Sequence, residues 1–291
     1  MTILSDLMYP ARKAQWVVLT VLIVIMYRGV LPQWGYELWD DPNYSHGLLI
    51  PFLSLYLIRE KMGELLASQR KSNLIGLVVV ILAVLLFIVG YIGAEFFSKR
   101  LSLILLLYGS ILFLEGWTIA GILAFPVGIL FFAVPLPYIL YNSIAFPLKL
   151  IASQIAVWFI ALSGMPVFRE GNVITLPHST MEVVDACSGI RSLMTLFTLA
   201  FLLGYFHHKK WWKRLVVILL ATPIAVFANA LRVTMTGILT KYDPAWGHGT
   251  LHDLTGWLVF VVSFVLLAGS SFLLCDKQNA PNTLSEVSSE N

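Results

Sequence analysis

Three short stretches of this 291-residue chain set chemically capable side chains in apolar surroundings. MEVVDACSGIRSL (181–193) holds Cys187, with Glu182 and Asp185 just before it and Arg191 four positions after it. FANALRVTMTG (227–237) puts Arg232 inside a long apolar run, with Asn229 and Thr236 on the same helical face. KYDPAWGHGTLHDLTGW (241–257) carries His248, His252 and Asp253 ahead of another apolar run. A lone cysteine in a membrane helix is ordinarily a small apolar filler. Cys187 differs because it stands where a helix begins. The positive end of the helix dipole and a nearby cation pull a thiol pKa from about 8.5 towards 7 or lower. Arg191 helps in this, and Asp185 and Glu182 oppose it. A guanidinium deep in a membrane helix costs about 2.5–3.5 kcal/mol on insertion scales, so Arg232 marks a functional site unless it snorkels or pairs structurally. A thiolate, an imidazole and a fixed cation together suit acyl transfer: nucleophile, proton carrier and donor to the developing oxyanion.

The elements that must position these groups are membrane helices. Hydrophobic residues make up 58% of the chain and charged ones 12%, and the mean hydropathy is +0.83. Such a chain cannot cover itself with polar surface in water. Its fold class is all-α and polytopic. The net charge of +3 comes from a few basic loops, which argues against a nucleic-acid partner. Residues 1–275 read as one integral-membrane domain and 276–291 as a disordered cytoplasmic tail. The first apolar stretch, 16–30, follows Arg12 and Lys13 with no small-residue cleavage site after it, so it reads as a retained signal anchor.

Nine apolar runs are candidate spans: 16–30, 46–58, 74–93, 101–114, 118–134, 142–163, 188–206, 215–239 and 254–274. The strongest basic loops, REKMGELLASQRK (59–71) and HHKKWWKR (207–214), belong in the cytoplasm by the positive-inside rule. Five runs between two loops on one side break parity, so one must not cross. The run from Asn142 is the one to demote to an interfacial or re-entrant helix, because Pro135, Pro137 and Pro147 interrupt it and Lys149 and Gln154 lie within it. About eight spans remain, with both termini cytoplasmic. Segment 164–187 is then external. In it, PVFREGNVITLPHSTMEVV (166–184) alternates β-branched and polar residues around a Gly-Asn turn, which predicts a small extracytoplasmic β-element leading to Cys187.

EVVDACSGIRSL (182–193), ANALRVTMTG (228–237) and HDLTGW (252–257), in that order on successive helix ends, resemble the exosortase/archaeosortase family of membrane cysteine transpeptidases. DPNYSHGLLIP (41–51) and FREGNVITLPHSTMEVV (168–184) are also similar, so the resemblance extends over most of 35–260. It implies that Cys187 is the nucleophile, Arg232 the catalytic arginine and His252 the catalytic histidine. It implies no cofactor and no metal. The expected partners are the lipid bilayer and secreted proteins ending in a sorting signal: a Pro-Glu-Pro-like motif (PEP-CTERM type), an apolar helix and a basic tail. The expected location is the bacterial inner membrane, with the site facing the periplasm or exterior. Supporting or substrate-binding roles are expected for Arg191, Asn229, Asp253, His46 and Arg169. Arg169, Lys99 and Arg100 are external cations suited to the motif's glutamate, and His46 is suited to orienting its loop. The chain is expected to lack the additional C-terminal domain that some exosortases carry.

Two other classes compete. His248 and His252 have the i,i+4 spacing of a zinc pair. Gly247 and Gly249 weaken a continuous helix there, and no glutamate completes an HExxH arrangement. A transporter would instead use Arg232 to bind an anionic substrate. A redox pair of Cys187 and Cys275 is disfavoured, since Cys275 is expected at the inner end of the last helix.

Overall fold

The computed structural model describes residues 2–177, 179–183, 190–242 and 250–274, with the backbone alone for 2–12, 190 and 250–253. Its described residues form α1 (Thr2–Tyr27), α2 (Val30–Asp40), α3 (Ile50–Glu60), α4 (Met62–Ala67), α5 (Leu74–Ile92), α6 (Phe96–Glu115), α7 (Trp117–Gly128), α8 (Tyr138–Leu162), strands β1 (Phe168–Glu170), β2 (Val173–Leu176) and β3 (Ser179–Glu182), then α9 (Ile190–His207), α10 (Trp211–Leu239) and α11 (Thr250–Leu274). Short 3-10 turns precede α3, at Ser45–Leu48, and follow α7, at Ile129–Ala133.

Among the described residues, five helices are long and apolar enough to cross a membrane: α5, α6, α8, α10 and the Leu254–Leu274 part of α11. A sixth span results if Lys13–Tyr27 and Val30–Asp40, which meet at a 65° bend, count as one. The protein is thus a mostly helical, multi-pass membrane protein with a small sheet. Of the other runs read as spans, 46–58 forms the 11-residue α3 and 118–134 the 12-residue α7 with its 3-10 extension, while 188–206 forms the 18-residue α9. The run from Asn142 departs from the sequence expectation. It belongs to α8, a continuous 25-residue helix that is itself long and apolar enough to span. Pro147 sits inside α8 without ending it. A proline removes one N–H, and membrane helices tolerate that loss where neighbouring groups re-satisfy the freed carbonyl.

The contact pattern divides the chain into two compact units, 1–142 and 143–291, with the boundary inside α8. In the first unit α5 and α6 form a tight antiparallel pair. A side chain at Gly76 would sit 2.1 Å from the Phe113 backbone nitrogen, so glycine is what lets the two backbones touch. Asn73 caps α5 by accepting from Ile75 N (2.8 Å), and Glu95 caps α6 by accepting from Phe97 N (2.8 Å) and Ser98 N (2.6 Å). Polar ties hold α1 and α2 to both ends of α6. At one end Glu115, 5% exposed, accepts from Trp16 Nε1 (2.8 Å) and lies 3.4 Å from the Arg70 guanidinium. At the other, Arg100, 1% exposed, is ion-paired with Glu37, and its guanidinium faces the Trp34 and Phe96 rings.

In the second unit α9, α10 and α11 share a core of Leu193, Leu196, Val217, Ala221, Ala225 and Leu267. The alanines of α10 keep the helices close. The basic turn 207–214 closes one end of this bundle: His208 Nε2 pairs with Ser271 Oγ (3.0 Å), Lys213 donates to Leu274 O (2.7 Å) and Arg214 to His208 O (2.7 Å). The opposite end of α10 meets the sheet. The three strands pair antiparallel in the order β1-β2-β3, with Arg169 opposite Ile174 and Val173 opposite Glu182. The β1–β2 turn uses Gly171 at φ 63°, as the Gly-Asn signal predicts. Ile174, Leu176 and Val183 pack on Ala156 and Ile160 of α8 and Val233 of α10, which fixes the sheet over the ends of those helices.

Candidate active site

The last turns of α10 carry a polar stripe. Asn229, Arg232, Thr236 and Thr240 recur at spacings of three and four and so share one helical face, and Asn229, Thr236 and Thr240 are buried. A stripe of this kind inside an apolar bundle is expensive, which singles it out from the aliphatic faces of α10.

Arg232 points from this stripe into α11. A β-carbon at Gly256 would fall 2.7 Å from the Arg232 Cζ and 2.8 Å from its Nη2, so the guanidinium lies flat against the bare backbone of Gly256. Position 252 is one helical turn earlier on the same face of α11. The fit therefore sets the cation beneath the helix position that carries the histidine. On its other side α10 meets the sheet. A side chain at Gly237 would press on Ile160 Cδ1 (3.0 Å), Met181 Sδ (3.4 Å) and Leu176 Cδ1 (3.5 Å). Ser179 Oγ reaches Thr240 Oγ1 at 3.3 Å, joining β3 to the outer end of the stripe.

The residues singled out in the sequence fall in several places. Cys187, with His248 and Cys275, lies outside the described residues. The described residues that flank the thiol segment are Val183, fully packed at the end of β3, and Ile190, which opens α9. His252 and Asp253 stand in the first turn of α11, where only the backbone is described. Arg191 is exposed at the start of α9. Arg169, on β1, donates through Nη1 to Gly171 O (2.7 Å) and approaches Ser153 Oγ (3.5 Å), so part of its fork holds its own turn.

His46, Lys99 and Arg100 belong to the first unit. His46 sits in the 3-10 turn before α3. Beside it, burial drives the Tyr44 hydroxyl up to about 12, with the backbone of Leu136 pulling down and Tyr141, Asp41 and Glu37 adding to the rise. Lys99 is buried with its ammonium 3.9 Å from the Phe96 ring centre. The Arg100 charge is answered inside the same unit by Glu37.

Two features escaped the sequence reading. Gly256 has a visible signal, a small residue four positions after a histidine in HDLTGW, but its use depends on what crosses it. The Thr236 side chain was legible only as a member of the stripe. Thr234 and Thr240 donate to backbone carbonyls of their own helix, Ala230 O and Gly237 O, both at 2.8 Å, whereas the buried Thr236 hydroxyl has no hydrogen-bond partner among the described residues.

Residues 38–269 match a family model described as transmembrane exosortase. No curated protein and no solved structure matches the chain.

Proposed function

Because the chain belongs to the transmembrane exosortase family through residues 38–269, we propose that it is a membrane cysteine transpeptidase that removes a C-terminal sorting signal from secreted proteins through a thioester. The Cys187 thiolate attacks the scissile carbonyl of the sorting motif, forming an S–C bond. The negative charge that moves onto the carbonyl oxygen is met by the Arg232 guanidinium. As the tetrahedral intermediate collapses, the C–N bond breaks and His252, as imidazolium, gives its proton to the leaving amine. An amine or a water then attacks the thioester, His252 takes its proton, and the thiolate leaves. Asn229, Asp253 and Arg191 support the three groups, and no cofactor takes part.

The observation that carries this reading is the seat of the Arg232 guanidinium on Gly256, one turn from position 252, at the end of α10 that also meets the sheet leading towards residue 187. A fixed cation beside the histidine position suits oxyanion stabilisation better than loose charge screening, since it needs no reorganisation during reaction. In the bacterial inner membrane the basic segments 59–71 and 207–214 face the cytoplasm, residues 1–275 form the membrane domain and 276–291 a cytoplasmic tail. The site then opens to the periplasm. The separation of turn 207–214 from the sheet by the length of α10 supports that orientation.

Co-expression with a tagged protein bearing a sorting signal tests the proposal. Wild-type cells should remove the signal, and Cys187→Ala cells should accumulate the uncut precursor. Equal removal in both would refute the nucleophile assignment; an anion transporter built on Arg232 would survive the substitution.

A further inference from the structure

The Thr236 hydroxyl is the odd member of the α10 stripe. A threonine inside a helix ordinarily satisfies its hydroxyl on a carbonyl of the preceding turn, as Thr234 does on Ala230. Thr236 is 4% exposed and does not. A valine would fill the same space without leaving a buried donor unanswered. Such a group is costly in the free protein and is answered when something polar enters.

Its direction is fixed by its neighbours. With about 100° per residue, Thr236 points about 40° round the helix from Arg232 and about 100° from Gly237. Arg232 faces α11 at Gly256, and Gly237 faces Leu176 of β2 and Met181 of β3. Thr236 therefore points between the direction of α11 and that of the sheet. Four residues raise Thr236 about 6 Å along the axis from Arg232, and an arginine side chain leans back towards the helix N-terminus, which widens the gap. One oxygen cannot take hydrogen bonds from both.

We propose that the Thr236 hydroxyl binds the substrate peptide, donating to a backbone carbonyl one or two residues from the scissile one held at Arg232. This inference rests on the transpeptidase reading above and adds a binding contact to it. A main-chain carbonyl is the fitting partner because every peptide residue presents one, and a separation of more than 6 Å spans about two residues of extended chain at 3.3–3.6 Å each.

The test uses the full-length enzyme in nanodiscs with a synthetic peptide carrying a Pro-Glu-Pro motif, an apolar helix and a basic tail. Thr236→Val should raise KM about three- to tenfold, the worth of one hydrogen bond, with kcat within about twofold. Its Tm without peptide should equal or exceed that of the wild type, because a buried unanswered hydroxyl is gone. Thr236→Ser should keep the wild-type KM. An unchanged KM in Thr236→Val, or a lower Tm with kcat and KM failing together, would overturn the proposal. Cys187→Ala run alongside separates the two levels: if it is inactive while Thr236→Val binds normally, only the Thr236 contact is wrong; if it remains active, the transpeptidase reading falls and this contact with it.

Discussion

Arg232 is held by what Gly256 lacks. A methyl group at position 256 would stand 2.7 Å from Cζ, and since that atom is the end of a flexible side chain, the guanidinium would swing away rather than break the helix. Gly256→Ala should thus leave the fold intact, and the better helix propensity of alanine offsets part of any strain, by up to about 1 kcal/mol. Signal removal should fall at least about tenfold, the worth of about 1.4 kcal/mol in transition-state stabilisation, with Tm nearly unchanged. Full activity in Gly256→Ala would show that the seat does not matter. Arg232 stands out in the sequence because a guanidinium is rare and costly in an apolar run, and Cys187 and His252 because they stand where apolar runs begin. The roles of Gly256 and Thr236 are not, because each depends on a neighbouring element that the local pattern does not reveal.

At the level of single elements, α6 depends on its cap. Burial alone would raise the Glu95 carboxyl, but hydrogen bonds from Ser98 and Phe97 and the charge of Arg100 outweigh it and hold the pKa below the ordinary 4.5. A carboxyl depressed in the folded state contributes stability above the unfolded pKa and loses it as pH falls through the folded one. Glu95→Gln should therefore lower Tm at neutral pH, by the loss of about 1 kcal/mol typical of a cap, and the gap to the wild type should close as pH drops below about 4.5. Thermal melts of both proteins across pH 3–7 decide it, and a gap independent of pH would contradict the cap. The sheet was readable from its alternation and its Gly-Asn turn, because both signals are local. In α8 the prolines misled. A proline inside a helix speaks strongly of a break in water, where the freed carbonyl has ready solvent, and weakly in an apolar setting where leaving the helix exposes more backbone.

For the whole molecule, the composition and the basic loops carried the class and the expected sidedness, whereas the division into two units left no mark in the sequence. No polar linker separates them, and the boundary lies inside a continuous helix. The ion pair of Arg100 with Glu37 joins α6 to α2 across 63 positions of sequence. Glu37→Gln leaves a nearly buried guanidinium without its counter-charge. The expected loss is about 2–3 kcal/mol, below the 3–5 of a fully buried pair because the Glu37 side chain is 37% exposed. Adding Arg100→Leu to Glu37→Gln should restore much of the loss, as seen in melts of the purified variants. A double variant no more stable than Glu37→Gln would rule out charge burial as the cause.

Those ties also impose a schedule on synthesis. Trp16 enters the bilayer 99 positions before Glu115 is made. At about 5–20 residues per second, the anchor helix waits about 5–20 s for its hydrogen-bond acceptor. During that interval α5 is already made and offers α1 its apolar face, but the indole still lacks its acceptor. Both ties of the anchor helices wait for α6, whose two ends supply Arg100 and Glu115.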